Sequence, residues 1–241
     1  MVQMKRSRRR FLAAAIFMAA TPAQADLTAR YMNPQGLVGM SVEVDEKGNM
    51  RVTQGNQLAV LTIGGVSYLL TSDLSGTYAV RQDDWVAVNA KRFRGAVAAM
   101  SPKMGKPALP DEGPKFDIVA GKTETVGGRL GTTWSLRTHG TTSPTGFDFV
   151  INTDPDLAAV GRAIAAQMGG SAAGLAAMRG TVSDFAAKIQ TIFEKGTVIK
   201  MSGLLQLESV KQGPIPKSEF ELPPVVLTRE QFEARTDGAA H

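Results

Sequence analysis

Turn clusters punctuate the chain roughly every 8–12 residues from Asp26 to Asn152, and the short runs between them are rich in β-branched and apolar residues. "LVGMSVEV" places Val38, Met40, Val42 and Val44 on one face. "DEKGN", Asp45 to Asn49, turns the chain, and "MRVT" resumes with Met50 and Val52. "QLAVLTI" and "VSYLLT" flank Gly64-Gly65, a hairpin signal because glycine supplies the positive φ that two-residue turns require. Parallel strands need helical crossovers, and none intervenes, so the spacing predicts an antiparallel meander. Further strands are expected in "TYAV", "DWVAVNAKRFRGAVAAM", "FDIVAG", "ETVGGRLGTTWSLRT" and "GFDFVIN", the last with Phe147, Phe149 and Ile151 on one face.

Residues 101–115 carry four prolines, which cannot donate to a sheet ladder, so a loop, lid or linker is expected there. The clearest helix is "NTDPDLAAVGRAIAAQMGG". Asp154 stands at the cap, Pro155 in the first turn, Leu157, Val160, Ile164 and Met168 at helical spacing, and Gly169 at the C-terminal end. A second apolar helical face is Val182, Phe185, Ile189, Ile192 and Phe193, ending at Gly196. Strands return in "TVIKMSGLLQLESVKQ", followed by "GPIPKSEFELPPVV" and a polar tail over residues 227–241. The layout is α+β: a curved antiparallel sheet with two or three helices packed on one face, in a single domain over residues 26–226.

The first residues have a different character. Lys5, Arg6, Arg8, Arg9 and Arg10 precede a short apolar run from Phe11 to Ala20, then "TPAQA" with small residues at Ala23 and Ala25. This is the pattern of a secretory signal peptide cleaved between Ala25 and Asp26, and the apolar run is too short to span a bilayer. Ser7 to Leu12 resembles the twin-arginine export motif, with Arg8 and Arg9 as the pair. An arginine-rich Sec signal is the alternative. The expected location is the periplasm, with no transmembrane segment in the mature chain.

Export also changes the charge balance. The chain has 27 Lys+Arg and 22 Asp+Glu, a net charge of +5. Removing residues 1–25 takes away five bases and no acid, which leaves 22 of each. The electrostatic case for nucleic acid then disappears. The remaining cluster at Lys91, Arg92 and Arg94 reads as a solvated strand face. With no cysteine, neither disulfides nor lipid acylation of the chain is available.

Chemistry-bearing patterns are sparse. His241 is the last residue, and His139 sits in the turn "RTHGTTS" near Ser143 and Asp148, without a nucleophile-elbow motif. Asp83-Asp84 and Asp111-Glu112 fall in turn-like contexts, and the mature methionines are spaced like core residues. No enzyme activity, metal or other cofactor is expected.

Three stretches carry a resemblance: the glycine-turn strand around Gly127, Gly128 and Trp134, the "TDPDL" helix start at Thr153 to Leu157, and the terminal "F-x-L-P" at Phe220 to Pro223. Together with the strand order, they resemble a poorly characterised exported bacterial domain related to the periplasmic lipoprotein-carrier superfamily. The resemblance covers most of Asp26 to Val226. It implies a half-open barrel with helices plugging its concave side and an acyl chain held between the layers. It implies a non-enzymatic binding or carrier protein for a lipid or other acyl-bearing ligand. The cavity-wall candidates are Trp134, Phe147, Phe149, Met201 and Leu205. The alternative is an envelope structural or interaction protein with a filled core, meeting a protein partner through a sheet edge or residues 101–115. The Ala/Gly-rich "MGGSAAGLAAMRG" is a departure from the family pattern, a segment that could fill the cavity and abolish binding.

Overall fold

The computed structural model describes residues 26–55, 58–104, 114–141, 146–179 and 184–238. The signal-peptide and cleavage expectations for residues 1–25, and most of the proline-rich segment, lie outside them.

Among the described residues, twelve strands form one sheet. They are β1 (Leu27–Met32), β2 (Val38–Val44), β3 (Met50–Gln54), β4 (Leu58–Ile63), β5 (Val66–Asp73), β6 (Gly76–Arg81), β7 (Phe116–Val126), β8 (Arg129–Thr138), β9 (Gly146–Asn152), β10 (Thr197–Met201), β11 (Leu205–Gln212) and β12 (Val226–Leu227). Their spatial order is β12-β6-β5-β4-β3-β2-β1-β11-β10-β9-β8-β7. Two meanders, β1 to β6 and β7 to β11, therefore meet where β1 pairs antiparallel with β11. All pairings are antiparallel except β12 with β6. The expected antiparallel sheet is present. It is open, with β12 and β7 at its edges, and larger than a half-barrel.

Glycine shapes the sheet where the β7–β8 turn swings toward β11. Gly127 has φ +57°, and a Cβ there would stand 2.9 Å from the Leu207 carbonyl oxygen. Only glycine combines that backbone conformation with so close an approach.

Among the described residues, four α-helices accompany the sheet: α1 (Gln82–Met104), α2 (Ala158–Arg179), α3 (Phe185–Phe193) and α4 (Arg229–Gly238). Helix α2 lies against β2, β3 and β10, α3 against β7, β8 and β9, and α1 against β5, β6 and α2. The larger core joins Leu27, Ala29, Tyr31, Val42 and Val52 of the sheet to Val160, Ile164, Ile192 and Phe193 of the helices. Each such buried Val, Ile, Leu or Phe contributes about 1.5–3 kcal/mol relative to exposure. Tyr31 donates its hydroxyl to the Val198 carbonyl at 2.8 Å, and burial pushes its phenol pKa up. A smaller core unites Val60, Leu69, Tyr78 and Val80 with Val88 of α1 and Phe232 of α4.

Several elements differ from expectation. "DWVAVNAKRFRGAVAAM" is helix α1, with Asp83 and Asp84 in its first turn, where carboxylates favour the helix dipole. Lys91 and Arg92 accordingly sit on a helix and pair with Glu233 and Asp237 of α4, not on a strand face. The helix reaches Met104, four residues into the expected loop. Helix α2 runs through Gly169 to Arg179. The polar tail is helical over α4, with Phe232 buried.

After β11 the chain crosses the sheet face opposite α2 as a strap, residues 213–225. Gly213 and Ile215 donate their amides to Asp26, and Arg51 pairs with Glu219 at 2.5 Å. A short 3₁₀ helix (Lys217–Phe220) rests on β3 and β4 and buries Phe220. Antiparallel register puts Ala59 and Leu61 of β4 on the same face as Arg51, and both are buried.

Candidate functional site

The register of four strands lines up four of the five predicted cavity residues. Trp134 of β8 is opposite Phe149 of β9, Phe149 is opposite Met201 of β10, and Met201 is opposite Leu205 of β11. Residues directly opposite in an antiparallel pair share a face. This row faces the helices: Phe149 meets Phe193 edge-on at 5.7 Å, and Lys195 stands 4.3 Å from the Trp134 ring centre. Phe147 lies two residues from Phe149 on β9. It is 44% exposed and stacks edge-on with Phe185, which also meets Phe116.

Most of the row is packed. Phe149 and Met201 are buried in the larger core, and Trp134 and Leu205 are partly buried against it. Leu157, Val160, Ile192 and Ile199 join the same core and are fully buried. The space in which the resemblance would place an acyl chain is thus occupied by side chains here. Helices α2 and α3 leave a cleft of about 390 Å³ at their ends, lined by Ala158, Gly161, Arg162, Phe193 and Lys195, but none of the five candidates borders it.

The row opens at its β11 end. A cleft of about 470 Å³ lies between the β1–β2 and β10–β11 turns, and Met32, Met201, Leu204, Leu205 and Leu207 line it with Asn33 and Lys200 at its polar side. Gly39 makes room for this arrangement, since a Cβ there would stand 2.6 Å from a Leu205 methyl carbon. Leu204, in the lining, is 49% exposed, and Leu37 at the end of the β1–β2 turn and Val38 at the start of β2 are 65% and 49% exposed. Exposed apolar surface grouped around a cleft marks a binding site more often than scattered exposure does. Lys200, in the lining of this cleft, pairs with Glu124 of β7.

Ser143 lies outside the described residues, and the histidine arrangement near it does not converge. His139 pairs with Asp117 at 2.8 Å. Asp148 instead accepts from Ser135 at 2.6 Å and from Arg137 at 2.9 Å.

The motifs behind the resemblance have structural roles. Arg129, just after the Gly127-Gly128 turn, pairs with Asp154 at 3.1 Å and Asp156 at 2.9 Å. The glycine-turn and "TDPDL" motifs are thereby joined, and the hydrogen bond to Asp156 raises the Arg129 pKa. Asp154 makes no side-chain capping bond. The "F-x-L-P" motif belongs to the strap, where Phe220 is the buried anchor. Met32, Leu204 and Leu207 were missed from the sequence, because their meeting depends on the pairing of β1 with β11, across most of the chain.

No family model matches the chain, and no curated protein matches it. Among solved structures the chain is similar to one described as "Crystal structure of MucB", at 12% identity and a TM-score of 0.31. The match covers 84% of this chain and spans 58% of the length of that one.

Proposed function

We propose that the chain is a non-enzymatic envelope protein that binds an acyl chain or similarly apolar ligand in the rim cleft. The observation that carries this reading is the continuity of an apolar row from core to rim, ending in a cleft lined by Met32, Met201, Leu205, Leu207 and the half-exposed Leu204. An acyl chain needs dry surface and few polar contacts, and each buried methylene contributes about 0.8 kcal/mol. The volume of about 470 Å³ is in the range of small-molecule sites. Met32 and Met201 bring side chains that adapt to irregular apolar shapes. The export signal read in residues 1–25 supports placement in the periplasm.

A fluorescent fatty acid titrated into the purified protein tests the proposal. Binding is expected, and Leu204→Asp, a change at a half-exposed position, is expected to weaken it at least tenfold. Equal binding by the variant, or none by the parent chain, would contradict it. A second reading rests on the filled helix–sheet interface: a ligand-free interaction protein using the β7 edge. In that case a partner would be retained from envelope extracts by the parent chain and by Leu204→Asp alike, without any acyl ligand.

A further inference from the structure

We propose that the strap face carries a second site, which binds a phosphate group. Antiparallel register places Lys211 of β11 opposite Thr28 of β1, and Thr28 opposite Glu43 of β2. Two residues along β1, Arg30 is opposite Ser209. Neighbouring strands are about 4.8 Å apart, so these side chains rise from one patch of sheet. They line a cleft of about 310 Å³ whose remaining wall is the start of the strap, Gly213 to Pro216.

The chemistry of the patch is that of a donor set. Arg51, Lys91, Arg92, Arg129, Arg137, Lys200 and Arg235 all have carboxylate partners. Arg30 and Lys211 have no side-chain hydrogen bond and no ion pair within 4 Å among the described residues. Thr28 and Ser209, whose register puts them on the same face as Arg30 and Lys211, bring their hydroxyls to the lining of this cleft. In the strap wall, Pro214 and Pro216 have no amide hydrogen, while Gly213 and Ile215 spend theirs on Asp26. The sheet floor is therefore the donating side. A guanidinium fork alone satisfies the two oxygens of a planar carboxylate. A fork, an ammonium and two hydroxyls from different strands suit a tetrahedral oxyanion with three free oxygens.

Glu43 faces the same cleft and opposes the anion. Its place beside Arg30 gives the proposal a signature that a purely structural role for Arg30 and Lys211 would not have: removing the Glu43 charge should strengthen binding.

The test is thermal denaturation of the purified chain titrated with inorganic phosphate, with acetate at matched ionic strength as control. Phosphate is expected to raise Tm saturably and acetate is not. The double variant Arg30→Gln/Lys211→Gln, read as the shift from its own ligand-free Tm, should lose at least tenfold in phosphate affinity. Glu43→Gln should gain several-fold, and Leu204→Asp should change nothing, which separates this site from the rim cleft. Sedimentation with phosphatidic acid vesicles, lost in the double variant, would assign the phosphate to a lipid headgroup; a shift with inorganic phosphate alone would assign it to a free anion. An equal shift with acetate, an unchanged response in the double variant, or no response to either phosphate or vesicles would overturn the proposal.

Discussion

At Glu43, burial and the neighbouring Glu219 push the carboxyl pKa above its usual value, against the pull of Arg51 and Arg30. Folding therefore favours the protonated form of this group. Its stabilising contribution is complete below the unfolded value, about 4.3, and is lost as pH rises through the higher folded value. Glu43→Gln imitates the protonated state. The variant should be more stable than the parent at pH 7, and the gap in Tm should close below pH 4. A gap that persists at pH 3.5 would mean that the effect is not electrostatic. Sequence alone could not single out Glu43, since its surroundings come from Glu219, which lies far along the chain. The candidate cavity residues were more legible. The alternation of "GFDFVIN" puts Phe147 and Phe149 on one face, and both do meet helix α3. Alternation could not show that Phe149 is packed into the core while Met201 and Leu205 reach a cleft.

Among the elements, hairpins were legible because their turn chemistry is local, as Gly64 and Gly65 show with positive φ between β4 and β5. Helix α1 was not. Val86 and Val88 alternate like a strand, while Asp83-Asp84 at the start and the alanines beyond are the helical signal. Helix α2 continues past Gly169 and Gly170, although each glycine costs about 1 kcal/mol relative to alanine. Its packing on β2, β3, β10 and α1 offsets that loss. Helix α4 had a readable start. Thr228 and Gln231 form a reciprocal capping box, with the Thr228 amide donating to Gln231 at 2.9 Å and the Gln231 amide donating to Thr228 Oγ1 at 3.3 Å. The strap carries this element's prediction. Phe220→Ala should cost about 3 kcal/mol, because it empties a buried site over β3 and β4. Denaturant unfolding monitored by circular dichroism measures it. A loss below 0.5 kcal/mol, on the order of a surface change, would show that the strap is not anchored there.

Across the whole molecule, the two meanders are each written locally, but their union is not. Strands β1 and β11 pair across most of the chain, and this pairing brings Met32 beside Met201 and Leu205. The rim cleft is a product of topology, which periodicity does not encode. Ligand binding at that cleft is the central claim, and methionine methyl NMR reads it directly. With the methyl groups labelled and a saturated fatty acid added, Met32 and Met201 should shift together. Met50, at the far end of the β2–β3 hairpin, and Met168 on α2 should stay in place. No change in any methyl, or changes at Met50 and Met168 without Met32 and Met201, would contradict it.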